Sequence, residues 1–332
     1  EKMAADHRFD DYVLMWALND PSAFHLPERA VVVPVKSFSF FIKALRARVW
    51  ITNSSMEMGL CFKKKKTIYI NTWHGTAIKY LGDDVKKEGR SFKSNKASEE
   101  DIFLCQSEYD EMIFRRAFHK ENLFRYGLPR NDELAADHPI EDIAALKRRI
   151  GIPSDKKTVL YAPTFREFTR NEHKEVIQEI PLSFHQWEKE MPDVVVLFRA
   201  HYEVAKHLDI SQYPNVIDVS AYPDLNELML VSDILLSDYS SIYFDFSILN
   251  RPMACYAYDY SLYEGNRGLY MDIAEELPCK VCIFEEDLLK ELKNEFLSYD
   301  EYAEKTRTFR QKYVTEYGHA AQKVADELYR RL

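Results

Sequence analysis

The chain has 332 residues, 46% hydrophobic and 30% charged, which describes globular material and more chain than one small core needs. Its 45 Lys and Arg against 54 Asp and Glu leave a net charge of −9, which argues against a protein that grips nucleic acid over a broad face. Only 9 Gly accompany 21 Tyr and 20 Phe, so aromatic packing is dense and glycine-rich phosphate loops have little room.

In chain order, Tyr12-Val-Leu-Met-Trp16, Ala30-Val-Val-Val-Pro34, Arg48-Val-Trp-Ile51, Thr67-Ile-Tyr-Ile-Asn71 and Asp101-Ile-Phe-Leu-Cys105 read as buried strands. Between them, Ser37 to Arg46 and Ser107 to Phe118 carry apolar residues at helical spacing. A charged helix over Ile140 to Ile150 runs into Gly151-Ile-Pro-Ser-Asp-Lys-Lys157, where Gly, Pro and charge together mark a boundary. The pattern then repeats. Thr158 to Ala162, Val194 to Arg199, Val216 to Val219, Ile234 to Ser237 and Met253 to Ala257 read as strands, with helices such as Leu182 to Glu190 and Leu225 to Val231 between them. Tyr299 to Leu332 reads as one or two charged amphipathic helices.

Strands alternating with helices imply parallel sheets covered on both faces. The expected architecture is therefore α/β: two facing Rossmann-like domains with a cleft between them, over residues 1–150 and 151–305, and helices at 306–332 packing back across both.

Five scattered cysteines, Cys61, Cys105, Cys255, Cys279 and Cys282, suit a reducing compartment. Cys279-Lys-Val-Cys282 has redox or zinc spacing, but no second pair accompanies it and a strand-like run passes through it. No run approaches the ~20 apolar residues of a membrane span, and no signal peptide is visible. A cytoplasmic, soluble protein is expected; the absence of a methionine at Glu1 leaves open a missing N-terminal stretch. Basic islands at Lys63 to Lys66, at Lys86-Lys87 with Arg90 and at Arg115-Arg116 are either solvated surface or contacts for anionic lipid or polymer.

Ligands of open parallel sheets sit beyond the carboxyl ends of the strands, and polar residues gather there in this sequence. After the strand at Thr67 comes Asn71-Thr-Trp-His-Gly-Thr-Ala-Ile-Lys79, in which His74 is either a proton acceptor near neutral pH or a hydrogen-bonded structural histidine beside a helix cap. After Val194 to Phe198 come Arg199 and His201. After Thr158 to Tyr161 comes Ala162-Pro-Thr-Phe-Arg166, where Thr164 offers a hydroxyl and Arg166 a bidentate guanidinium to phosphate oxygens. After Ile234 to Leu236 comes Ser237-Asp-Tyr-Ser-Ser-Ile-Tyr-Phe-Asp245, where Ser240 and Ser241 open a helix whose N-terminus favours an anion, or simply cap it. The inventory lacks paired metal-ligand carboxylates, zinc-helix spacing and a Gly-x-Ser-x-Gly elbow. It fits a transferase that needs no metal or cofactor and neutralises a leaving diphosphate with its own groups.

Trp73-His-Gly-Thr76 with Lys79 and Leu81-Gly82, Tyr126-Gly-Leu-Pro-Arg-Asn-Asp132, Leu160 to Arg166, Phe198-Arg-Ala-His201 and Ser237 to Asp245 resemble the CDP-glycerol glycerophosphotransferases of teichoic acid synthesis. Arg251-Pro252, Tyr256-Ala-Tyr-Asp259 and Arg267-Gly-Leu-Tyr270 extend the resemblance, which runs in order from about residue 45 to about residue 275. It implies a GT-B fold with an acceptor-side N-terminal half and a donor-side C-terminal half. It also implies transfer of glycerol phosphate, or ribitol phosphate, from a CDP-alditol to a lipid-linked saccharide or polymer, with release of CMP.

Carried over by position, His74 matches the family's general base, and His201 an imidazole on the donor diphosphate. Ser240 and Ser241 match a diphosphate-binding pair. Thr164, Arg166, Arg199 and Asp238 would line the donor pocket, and Lys79, Arg130 and Asp132 would serve the acceptor side or a hinge. The extra N-terminal region of the long polymerases is absent, so priming, polymerisation and capsule-polymer synthesis all stay open. A GT-B glycosyltransferase using a sugar nucleotide is the competing enzyme class. The stretch Asn53-Ser-Ser-Met-Glu-Met58, with the lysine run behind it, would face the acceptor or the inner surface of an anionic membrane.

Overall fold

Runs of β-branched residues buried on both faces organise the molecule. The computed structural model describes residues 2–23, 26–85, 98–166, 182–201 and 210–332; the island at Lys86, Lys87 and Arg90 lies outside them. Two compact units share the chain: Glu1–His74, Lys87–Asp132 and Glu316–Leu332 form the first, Gly75–Lys86 and Glu133–Thr315 the second.

In the first unit, β1 (Met15–Leu18) pairs in parallel with β2 (Val31–Pro34). The first strand begins later than its apolar run because its register is set by Val31 to Pro34. A parallel sheet of β3 (Val49–Thr52), β4 (Ile68–Asn71), β5 (Ile102–Cys105) and β6 (Leu123–Arg125) follows in sequential order. Helix α1 (Phe38–Arg46) starts where the Ser37 hydroxyl accepts from the Phe40 N–H, and its Ala44 carbonyl receives the buried Trp50 indole N–H at 2.8 Å. Helix α2 (Glu108–Phe118) is capped by Ser107 and stops at His119, whose φ of 54° is left-handed.

The second unit carries β7 (Lys157–Tyr161), β8 (Val194–Phe198), β9 (Val216–Asp218), β10 (Ile234–Ser237), β11 (Met253–Tyr256) and β12 (Val281–Cys282). They form one parallel sheet in the order β12-β11-β10-β7-β8-β9. The chain works outward from β7 to one edge, returns to β10 beside β7, and works outward to the other. This is the doubly wound dinucleotide-binding order, with its reversal between β7 and β10. Cys279 and Cys282, beside and in β12, are buried free thiols.

The division between units differs from the expected one, for physical reasons. Helix α3 (Ile140–Ile150) ends at Gly151 with φ of 91°, so the Gly-Pro signal there is a helix stop. The helix packs on α5 (Leu225–Val231) of the second unit, where Arg149 pairs with Glu227 and donates to the Tyr222 hydroxyl at 3.1 Å. Helix α4 (Phe184–Glu190) and helix α6 (Ile242–Ser247) lie in the same unit, as do α7 (Tyr260–Arg267), α8 (Ile273–Glu276) and α9 (Glu285–Leu297). Helix α10 (Tyr299–Tyr313) also stays there, with the Phe309 and Tyr313 rings against Phe244. Only α11 (Ala320–Arg331) returns to the first unit, where Val324, Ala325 and Leu328 seal Ile70, Ile102 and Leu104.

The Tyr126 to Asp132 motif receives that returning segment. Gly127 has φ of 87°, and a Cβ on it would stand 2.6 Å from the Glu316 carbonyl oxygen. Asp132 accepts from the N–H groups of Ala320 at 2.8 Å and Ala321 at 2.7 Å, capping α11. Asp132→Ala should lower stability by about 1–2 kcal/mol, the value of a lost N-cap. Asp132→Asn, which keeps an accepting oxygen, should lose less, and urea midpoints of the two variants check this.

Candidate active site

Strand β4 delivers His74. At its end the Asn71 carboxamide oxygen accepts from the Trp73 N–H at 3.0 Å, and its NH2 donates to the Ser54 carbonyl at 2.9 Å. That turn drives Trp73 to φ of 54°, a left-handed conformation unusual for so bulky a residue. The indole is held by an aromatic cluster, with Phe103, Phe114 and Phe118 at 5.5, 5.2 and 5.2 Å between centroids.

The His74 ring lies against the same indole at 4.1 Å and is exposed, with Nδ1 2.7 Å from the Asn53 carbonyl oxygen. A carbonyl only accepts, so Nδ1 carries the hydrogen and Nε2 is left as the basic nitrogen.

The loop bearing Asn53 is built on Glu57. The Asn53 to Met58 stretch does not face outward throughout: Glu57 is 2% exposed. Its Oε1 accepts from Phe62 N–H, Lys63 N–H and the Ser98 hydroxyl at 2.7–2.8 Å, and its Oε2 from Ser98 N–H at 2.8 Å. Burial pushes the carboxyl pKa up, but the bonds from Ser98, Lys63 and Phe62 outweigh it and hold the carboxyl below its ordinary value. Glu57 therefore stabilises the loop above its unfolded pKa, and that contribution fades as pH falls through the folded value.

In the second unit, three neighbouring strands bring the other candidates to the sheet reversal. The loop after β7 holds Thr164 and Arg166, the loop after β10 holds Asp238, Ser240 and Ser241, and Arg199 and His201 follow β8. Asp238 Oδ1 accepts from the N–H groups of Thr164 at 2.9 Å and Tyr239 at 2.7 Å, so one carboxylate joins the two loops.

Arg166 lies 2% exposed between Asp238 (Nη2 to Oδ2, 2.9 Å) and Asp259 (Nε to Oδ2, 2.8 Å), and Nη1 donates to the Thr164 carbonyl at 2.5 Å. The Tyr239, Tyr258 and Tyr263 ring centroids surround it at 5.0–5.2 Å. Burial opposes its charge, but Asp238 and Asp259 raise its pKa above the usual guanidinium value. The fork that the sequence offers to phosphate is thus engaged by two carboxylates, as is Asp238 by the loops it joins. Asp259 completes this network; the sequence shows it in the Tyr256-Ala-Tyr-Asp259 motif but not its pairing with an arginine 93 residues away.

The Ser240 hydroxyl accepts from Ile242 N–H at 3.3 Å at the start of α6, whereas the Ser241 side chain makes no cap bond. Arg199 donates through Nη1 to the carbonyls of Val219 at 3.2 Å and Tyr222 at 2.7 Å, and burial lowers its pKa. His201 is exposed, its ring 4.2 Å from that of Phe165. Lys79 belongs to the second unit, with its ammonium 5.8 Å from the Tyr263 ring centroid. Arg130 is exposed on the turn Pro129–Asn131, and Asp132 is the cap described above.

Three substitutions test these anchors. Arg166→Ala leaves the buried Asp238 and the part-buried Asp259 without their cation and should cost about 3–5 kcal/mol in chemical denaturation; Arg166→Lys should restore little, lacking the planar fork. Glu57→Gln turns an NH2 toward N–H donors and should cost about 1–3 kcal/mol. Its stability should also fall less steeply than the wild type's as the pH is lowered.

Among known proteins, the family model for CDP-glycerol:poly(glycerophosphate) glycerophosphotransferase matches residues 1–330. The chain is 34% identical to a teichoic acid poly(glycerol phosphate) polymerase of Staphylococcus epidermidis over 97% of its own length, yet spans only 47% of that relative. It is 33% identical to the teichoic acid glycerol-phosphate transferase of Staphylococcus aureus, covering 96% of this chain and 86% of that one. A solved structure of the wall teichoic acid polymerase TagF, soaked with CDPG, superposes with a TM-score of 0.87 at 33% identity over 99% of this chain and 84% of the other. The GT-B-like α/β fold expected from the motifs is the one observed. With the family model matched from residue 1 to residue 330, the chain belongs to the CDP-glycerol:poly(glycerophosphate) glycerophosphotransferase family.

Proposed function

We propose that this protein transfers glycerol phosphate from CDP-glycerol to a hydroxyl of a lipid-linked saccharide or poly(alditol phosphate) acceptor, and releases CMP. The observation that carries the proposal is the His74 imidazole, exposed at a strand end with its Nδ1 hydrogen pinned to the Asn53 carbonyl. Nε2 of His74 takes the proton of the acceptor hydroxyl as that oxygen attacks the phosphorus bearing the glycerol. A new O–P bond forms, the bond from that phosphorus to the bridging oxygen breaks, and its electron pair leaves with CMP.

His201, the Ser240 and Ser241 hydroxyls and the Arg199 cation would stabilise charge on the departing group. Their common location at the carboxyl ends of β8 and β10 supports this. Arg166, Asp238 and Asp259 hold the loops that carry Thr164 and Ser240. Metal independence belongs to the same proposal, and undiminished turnover in EDTA checks it.

The acceptor is anchored in lipid, so the protein would work peripherally on the inner face of the cell membrane. Among the described residues no helix is long and apolar enough to cross a membrane. Supporting a peripheral site, α1 exposes Phe38 (81%), Ile42 and Leu45 along one face, with Lys43 and Arg46 beside them. Binding to anionic vesicles should weaken as salt rises.

Incubation with CDP-glycerol, CDP-ribitol or UDP-sugars in separate reactions identifies the donor by release of CMP or UDP. His74→Ala should lose about 10²–10⁴-fold of CMP release with its circular dichroism unchanged. Near wild-type transfer by that variant would end the proposal.

A further inference from the structure

His74 is the last residue of its stretch in the first unit; from Gly75 to Lys86 the chain is part of the second. Gly75, Thr76, Ala77 and Ile78 are buried there. Tyr270 anchors the segment three times. Its N–H donates to the Ile78 carbonyl at 2.7 Å, its hydroxyl accepts from Leu81 N–H at 3.0 Å, and the same hydroxyl donates to Asp84 Oδ2 at 2.6 Å.

Tyr80 answers from the other side. Its N–H donates to the Gly268 carbonyl at 3.2 Å, and its ring meets that of Tyr270 edge-on at 4.9 Å. Gly268 has φ of 73°, and a Cβ on it would stand 2.3 Å from the Tyr80 ring, so only glycine lets the segment lie this close. Between them, Lys79 bridges Leu269 in antiparallel register.

The anchorage is continuous with the sheet reversal. Lys79 places its ammonium over Tyr263, Tyr263 stacks on Tyr239 at 3.8 Å and 14°, and Tyr239 follows Asp238. A single peptide bond separates this strapped segment from the imidazole.

We infer that residues 75–85 are a strap through which Tyr270, Gly268 and Tyr80 act as positioning residues for His74. The inference rests on the reading of His74 as the base. The strap fixes the backbone path immediately after the proton acceptor. Its loosening should therefore lower turnover without touching the donor groups themselves. Misplacement by about 1 Å is enough to cost on the order of 10²-fold in rate.

The test uses the full chain and four proteins: wild type, Tyr270→Phe, His74→Ala and the double variant, with Gly268→Ala as a second way of loosening the strap. Tyr270→Phe keeps the ring and removes both hydroxyl bonds. It should lower kcat about 10- to 100-fold, with the folded circular dichroism spectrum retained and the CDP-glycerol Kd by calorimetry unchanged. Gly268→Ala should lower kcat in the same way. In the His74→Ala background Tyr270→Phe should cost nothing more, because the group it positions is gone.

Wild-type kcat in Tyr270→Phe, a matching loss of donor affinity, or full additivity in the double variant would each overturn the strap. Near wild-type transfer by His74→Ala would instead overturn the base assignment, so the two failures are told apart.

Discussion

A guanidinium buried with its full charge is unfavourable unless its surroundings neutralise it and satisfy its donors. Arg166 meets that condition through Asp238, Asp259 and the Thr164 carbonyl, inside a ring of three tyrosines. The loops after β7 and β10 must take the paths that bring these groups together, because any other path strands a charge. Other parts of the second unit's site inherit their places from this. The Asp238 carboxylate sets Thr164 and Tyr239 by their backbone N–H groups, and Ser240 and Ser241 follow directly. His201 then leans on Phe165, the residue before Arg166.

The first unit solves the same problem with one carboxylate. At Glu57, four N–H and O–H donors from Phe62, Lys63 and Ser98 converge on the carboxylate. Asn53, in the same loop, presents the carbonyl that sets the tautomer of His74. Both units thus place acidic side chains inward to shape loops, and leave imidazoles and hydroxyls at the surface of those loops. Division of labour of this kind lets reactive groups stay exposed while their geometry is fixed by groups that are not.

What could be read from the residues alone follows from which interactions are local. Strands β4, β5, β7, β8, β10 and β11 announce themselves because parallel strands covered on both faces must be apolar throughout. Strand β6, only Leu123–Arg125 and half-exposed, has no such pattern. The positions of His74, His201 and the serine pair are legible because each stands directly after a strand. Arg166 and Asp238 are legible as candidates, but their engagement with each other is not, since 72 residues separate them. The inward engagement of Asp259 and Glu57 is hidden for the same reason, although both stand in stretches the sequence singles out: a carboxylate that folds inward looks like any surface acid until its donors are known. The boundary near residue 150 misleads because a Gly-Pro signal reports the end of a helix, and only packing against α5 says which unit the helix joins.

The capping of α11 by Asp132 and its cover over Ile70, Ile102 and Leu104 set the order in which the molecule can be made. The first unit draws on Glu1–His74 and Lys87–Asp132 and also on Glu316–Leu332, which follow the second unit in the chain. During synthesis its sheet can form early, but one apolar face must wait, uncovered, until the intervening second unit has emerged. The second unit is drawn from Gly75–Lys86 and Glu133–Thr315 and needs nothing from the tail. It is therefore the part able to fold first, and the unit that carries His74 is completed only when residues 316–332 are made.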